Sequence, residues 1–388
     1  MRNALRNAAL VIVSCLATLL VSEAVLRFAA HRLLRGGEWL AAGQIFKIID
    51  PPVGFSLLPG SSQILVTGKA YTSRADINSA GLRDIEHPSG KPPGQRRILV
   101  LGDSFIFGQG VSMQESLPRQ LAGEMPGVDV INAGIPGYNL GQEYLYFKDR
   151  GYRCEPDLVL LGFFINDLAR ARELDETDGP DGLPVSYQRT AQMLAHDRQQ
   201  APHGLRGAVS SFLNSHSLLY VLVRRHMENL VAHHGPAALK PDDKSEDKAE
   251  EKEPYYLSVF RDDASQSVAR DWDQAYRILD ELKHDVTSHG AHLAVILVPA
   301  PFQISDKEFH DWLEWSGAAG QAMSRRKPQD MVLAWCRKTA TPCDDLLETF
   351  ENKDREKYYY PYDLHWTSQG HQLAAHSVAG FLAANHLP

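Results

Sequence analysis

Hydrophobic and polar positions divide the 388-residue chain into an apolar leader, a punctuated stretch, and a long alternation of strand-like and helix-like periods that is broken once. Arg2 and Arg6 precede an uncharged stretch from Asn7 to Ser22, after which Glu23 and Arg27 interrupt a continuing apolar pattern. A helix needs roughly 20 apolar residues to cross a bilayer. The uncharged part falls short of that, but Arg27 can snorkel toward headgroups and Glu23 pairs with it at i,i+4. Residues 1–35 are therefore expected to form a transmembrane anchor or, in the alternative, a cleaved signal segment ending near Ser22-Glu23-Ala24. Arginines flank the span on both sides and leave its orientation open.

Residues 36–95 are rich in proline and glycine, and the alternation in Gln63-Ile64-Leu65-Val66-Thr67 predicts a short strand or hairpin there. From residue 96 onward the pattern predicts strand 97–102, helix 113–125, strand 128–132, helix 138–150 and strand 157–164. Ser112 and Glu115 have the spacing of a capping box for the first of these helices. An insert at 168–255 shows no strand pattern; it carries an amphipathic piece near 212–231 and a charged run at 241–254 expected to be solvated and disordered. The alternation then resumes with helix 264–288, strand 292–298, helix 327–338, strand 344–347 and helix 367–384. Successive βαβ units of this kind predict a parallel sheet in an α/β domain spanning 96–388.

Composition narrows the function. With 44% hydrophobic and 23% charged residues the chain has the make-up of a globular protein. Half of the net charge of -8 falls in residues 242–253, where seven acids face three lysines. The remainder is near neutral and offers no basic stripe, so nucleic acid is excluded as a partner. Cys336 and Cys343, seven residues apart, are either a disulfide suited to an oxidising compartment or two separate thiols. With no CxxC or HExxH pattern, no metal site is expected, and no cofactor.

The strand Ile98-Leu99-Val100-Leu101 ends in Gly102-Asp103-Ser104, which delivers a serine to a tight turn. Far along the chain stands Asp363-Leu364-His365. A nucleophilic serine needs a base to take its proton and a third group to orient that base. Ser104, His365 and Asp363 supply those three roles, and i,i+2 spacing in an extended segment puts Asp363 and His365 on one side. Phe105-Ile106 after the serine departs from the GxSxG elbow of α/β-hydrolases. Asp103 is expected to order the turn. Trp366 and Tyr362, with their neighbouring tyrosines, are candidates for a saccharide-binding wall or, alternatively, for packing. Arg83 either contacts substrate or bridges the N-terminal hairpin to the core.

Four blocks in order, Gly102-Asp103-Ser104-Phe105, Asn132 to Gly137, Gly162 to Asp167 and Asp363-Leu364-His365, resemble the SGNH or GDSL hydrolase superfamily. Asn78 to Arg83 resembles its membrane-anchored members. The resemblance implies a flavodoxin-like three-layer α/β/α sandwich and an oxyanion hole made of the Ser104 and Gly137 backbone N–H groups and the Asn166 amide. It further implies a serine esterase acting on an acyl ester, O-acetyl on a cell-envelope saccharide, in a periplasmic setting. The Asp-x-His-Trp spacing, one residue shorter than is common in the superfamily, is similar to the alginate-type O-acetyltransferase branch. That likeness keeps transfer to a saccharide hydroxyl open, beside a membrane acyltransferase as partner. A silent carbohydrate-binding scaffold is the reading from outside enzymology.

Overall fold

The computed structural model describes residues 2–36, 38–48, 54–88, 90–169, 204–234, 255–263 and 266–388. A long helix α1 (Arg2–Leu33) leads into a small antiparallel sheet made of β1 (Trp39–Gly43), β4 (Ser62–Thr67) and β5 (Tyr71–Asp76), in the order β1-β4-β5. Between its strands lies the short pair β2 (Phe46–Ile48) and β3 (Phe55–Leu57). The sequence pattern pointed only to the β4 region. The other strands are short and alternate weakly, so their partners, not their own periods, define them.

The central sheet contains β6 (Arg96–Gly102), β7 (Val128–Gly134), β8 (Leu158–Phe163), β9 (His292–Leu297) and β10 (Cys343–Asp345). Its order is β10-β9-β8-β6-β7, and every neighbouring pair is parallel. Connecting helices are α2 (Ser104–Phe107), α3 (Leu117–Glu124), α4 (Leu140–Asp149), α5 (Ile165–Ala169), α6 (Gly204–His216), α7 (Leu218–His234), α8 (Gln266–Ser288), α9 (Asp306–Trp315), α10 (Lys327–Thr339) and α11 (Ser368–Ala384). The chain steps outward from β6 to β7 and then back across β6 to β8. Right-handed crossovers therefore put α3 on one face and α4 on the other. In agreement, α3 packs on α11 and α4 on α8, completing the three-layer sandwich. All eight residues from Leu158 to Ile165 are buried, as befits a strand covered on both faces.

Boundaries follow the expected strands within about two residues, with informative exceptions. The helix expected at 113–125 begins as a 3₁₀ turn, Met113–Glu115, where Glu115 accepts from both the N–H and the hydroxyl of Ser112. Pro118 then opens α3 proper, where a missing N–H does no harm. Helix α9 had no sequence expectation. The described part of the insert is helical, as α6 and α7; the charged run 241–254 lies outside the described residues. Cys336 and Cys343 are joined in a disulfide that ties the last turn of α10 to the edge strand β10.

One core fills the sandwich. A second, made of Ala30, Leu40, Ala42, Val66, Leu218 and Val221, joins α1, the N-terminal sheet and α7. Among the described residues, α1 is the helix long and apolar enough to cross a membrane.

Candidate active site

Strands β6 and β7 end in glycine and β8 has one at its penultimate position, and the three lie in register, Gly102 opposite both Gly134 and Gly162. A Cβ on Gly102 or Gly162 would fall 2.3 or 2.6 Å from Ile106, and one on Gly134 would fall 2.3 Å from the Phe107 nitrogen. Gly102 also has φ +154. The three strand ends thus form a bare floor on which the turn Ser104–Phe107 sits directly. Because the chain runs from β6 to β7 on one side and from β8 to β9 on the other, this floor lies at the topological switch point of the sheet, where α/β sheets open a crevice.

Asp103 caps that turn, its carboxylate accepting from the Phe105 N–H at 2.9 Å. Its other oxygen accepts from Asn166 Nδ2 at 2.9 Å. Asn166 follows β8, so one buried carboxylate sets both the serine turn and the orientation of the amide. The amide keeps a second N–H for a ligand. Burial pushes the Asp103 carboxyl above the ordinary value, against the hydrogen bonds from Phe105 and Asn166. Beneath it lie Asp167 and Glu143, fully enclosed and pushed well up, by burial first and then by neighbouring carboxylate charge. Neither oxygen of Glu143 has a partner.

On the opposite side, His365 Nε2 lies 2.7 Å from Ser104 Oγ. His365 Nδ1 lies 2.5 Å from Asp363 Oδ1, which also accepts the backbone N–H of His365 at 2.8 Å. That backbone bond curls the segment, so the expected extended geometry is corrected: a tight aspartate turn, not strand alternation, joins the two side chains. The turn is the tip of a small hairpin closed by a Tyr359–Trp366 bridge, with Tyr362 at φ +59.

Trp366 does not line the site. It is fully buried, stacked on Phe350 at 5.3 Å between centroids and edge-on to Phe105, so the saccharide-wall expectation for it is overturned by packing. Tyr359 is likewise buried, whereas Tyr362 is 71% exposed on the rim. Gly137, at φ +81, follows β7, and a Cβ there would lie 4.0 Å from the Phe55 ring. Arg83 bridges, donating to the carbonyls of Arg74, Phe107, Gly108 and Val111, and so binds the N-terminal sheet to the serine turn.

Sequence reasoning missed Tyr71. Its hydroxyl donates to Asp363 Oδ2 at 3.4 Å and accepts from Gln109 Nε2 at 3.0 Å. Burial and the Asp363 charge push this phenol above its ordinary range, so it stays a donor. Burial alone would raise the Asp363 carboxyl; the His365 ring, its backbone N–H and Tyr71 outweigh that and hold it below the ordinary value. Nothing local to Tyr71 signals this contact, which forms only when β5 folds beside residue 363. A pocket of about 140 Å³ lies nearby, between this sheet and Gly108-Gln109 and Pro136.

A Ser–His–Asp chain of this geometry can pass a proton from hydroxyl to ring while the carboxylate holds the ring's other N–H. Residues 259–388 match the family model described as an SGNH hydrolase-like domain, acetyltransferase AlgX. This match is a third of the chain and includes Asp363 and His365; Ser104, Gly137 and Asn166 lie before it. The likeness to SGNH and GDSL hydrolases read from the motif blocks is supported on that evidence. No curated protein matches the chain. Solved structures similar in fold include TesA, at 11% identity over 74% of this chain and 99% of that one, TM-score 0.39. A GDSL-like lipase from Bacteroides thetaiotaomicron matches at 10% identity over 76% and 91%, TM-score 0.38. Axe2, an acetylxylan esterase from Geobacillus stearothermophilus, matches at 11% identity over 74% and 94%, TM-score 0.37.

Proposed function

We propose that the protein is a serine esterase that removes a small acyl group, O-acetyl, from a cell-envelope saccharide at the membrane surface. The observation that carries this reading is the hydrogen-bonded chain from Ser104 Oγ through His365 to Asp363. Ser104 Oγ attacks the ester carbonyl as its proton passes to His365 Nε2. The oxyanion that forms is met by the Ser104 and Gly137 N–H groups and the second N–H of the Asn166 amide, and one such donor lowers the barrier by about 3 kcal/mol. Collapse breaks the C–O bond, and the leaving alkoxide takes the proton back from Nε2. Water then attacks the acyl-serine, giving its proton to His365, and the second collapse restores Ser104 and frees the acid.

A second reading, O-acetyl transfer, is favoured by the match of residues 259–388 to the AlgX acetyltransferase domain. In it a saccharide hydroxyl replaces water in the second half, and a membrane acyltransferase partner supplies the acyl donor. The test follows chromophore release from nitrophenyl acetate by the detergent-solubilised full chain, beside Ser104→Ala. Turnover lost on substitution supports the esterase. A single stoichiometric burst with acetyl on Ser104, released only when a saccharide is added, would favour transfer. A folded protein with neither turnover nor labelling of Ser104 by a phosphonate overturns both and leaves a silent scaffold.

A further inference from the structure

We propose that α6 and α7 form a helical hairpin seated on the bilayer surface, clasped to α1 and presenting an apolar row to lipid. The clasp is specific. Glu23, in the middle of α1, accepts from Ser217 Oγ at 2.8 Å and from the Leu218 and Leu219 N–H groups at 3.0 Å each. Its carboxylate thereby occupies the N-terminus of α7, where the exposed amides favour an anion. Arg27 donates to Glu23 and to the His216 carbonyl at the end of α6. The ion pair that interrupts the apolar leader is thus the docking point of the insert, and Arg27 has partners other than the headgroups first expected. Behind the clasp, Ala30, Leu218 and Val221 are buried in the second core. Cleavage near Ser22-Glu23-Ala24 would remove a ligand of this junction, so α1 is retained in the working protein.

The clasp also sets depth. The uncharged stretch Asn7 to Ser22 is 16 residues, or about 24 Å of helix. With Arg6 at one face of the ~30 Å hydrocarbon layer, Glu23 comes within about 6 Å, one helical turn, of the other face. At this level α6 exposes Val209 (50%) and Phe212 (60%), and α7 exposes Val223 (54%) and Met227 (55%). Each pair is spaced three or four residues apart and so shares one helix face. On α1, to which the hairpin is clasped, Phe28 and Leu33 are also bare. Arg224 is exposed on α7 beside Val223 and Met227, whereas Arg225 lies on the opposite side of the helix, over the ring of Trp39, 5.7 Å from its centroid. An apolar row with Arg224 at its side fits the headgroup boundary of an anionic membrane. The candidate site is drawn to the same surface, because Gly36, three residues beyond α1, lies against the Tyr362 ring.

The full chain with Cys15→Ser and Cys154→Ser, in nanodiscs containing anionic lipid, is nitroxide-labelled at Phe212→Cys or Val223→Cys, with Ser288→Cys on the far end of α8 as reference. Collision with oxygen favoured over a nickel chelate at 212 and 223, severalfold relative to 288, is the expected result. A chelate-favoured ratio like that at 288 means the row faces water and overturns the proposal. Low access to both probes means that protein covers the row, and also overturns it. Mass spectrometry of the intact membrane-derived chain should show residues 1–22 present; a mature N-terminus near Glu23 would sink the clasp whatever the labels report.

Discussion

Tyr71 illustrates how a single side chain escapes sequence reading. The triad candidates announced themselves through short motifs, but Tyr71 lies 292 residues from Asp363 and meets it only through the packing of β5. On the proposed chemistry it is a positioning residue, keeping the carboxylate ionised and aimed. Tyr71→Phe removes one donor worth about 1 kcal/mol, so ester turnover should fall about fivefold. The sign of the pH effect follows from Asp363, whose carboxyl is held below its ordinary value. Loss of the donor lets it rise, so the acid limb of the rate profile should move to higher pH. A uniform loss at every pH would mean that Tyr71 acts through folding alone. Trp366 is the opposite case: an aromatic beside a catalytic motif invites a binding role, yet the hairpin needs a buried anchor at that position and Phe350 supplies its stacking partner.

At the scale of elements, the central strands were legible because a buried parallel strand is a continuous apolar run that few other elements imitate. The turn after β6 at Gly102 was legible, but the meeting of Gly102, Gly134 and Gly162 in one floor depended on register. The strands of the N-terminal sheet were largely illegible: only β4 showed a clear alternation, and β2 and β3 of the separate pair span three residues each. What holds the segment leading out of this sheet is a buried ionic cluster: His87 bridges Asp84 at 2.9 Å and Asp129 at 2.8 Å, while Arg119 pairs with Asp84 and Arg97 with Asp129. Burial opposes charge on His87, but Asp84 and Asp129 prevail and raise its pKa. The stability it adds is fully present below the unfolded imidazole value of about 6.5 and is lost as pH rises through the higher folded value. His87→Gln should therefore cost about 3 kcal/mol at mildly acidic pH and progressively less toward alkaline pH. Urea unfolding at a series of pH values checks this, and a difference that does not vary with pH would show that proton binding at His87 plays no part.

For the whole molecule, an N-terminal apolar helix and an α/β fold with a parallel sheet were readable from composition and period, whereas the second core was not. It is built from α1, β1, β4 and α7, four segments whose apolar residues are individually unremarkable. The disulfide was left open by spacing alone, because seven residues between thiols suit either state; the turn from α10 into β10 brings them together. That bond has a consequence for how the chain behaves among its copies. Strand β10 is three residues long and forms the margin of the sheet, paired to β9 on one side with its other rim open. An unpaired rim is a template on which a foreign strand can grow. Closing so small a ring contributes about 2.5 kcal/mol by chain entropy, and it pins the margin to α10. The double substitution Cys336→Ser, Cys343→Ser should leave ester turnover per folded molecule unchanged, while backbone amides at 343–345 exchange faster and light scattering rises with protein concentration. Oxidation would then serve colloidal behaviour more than chemistry: chains held in a reducing compartment would be lost to one another by strand capture before any loss at Ser104 could be measured.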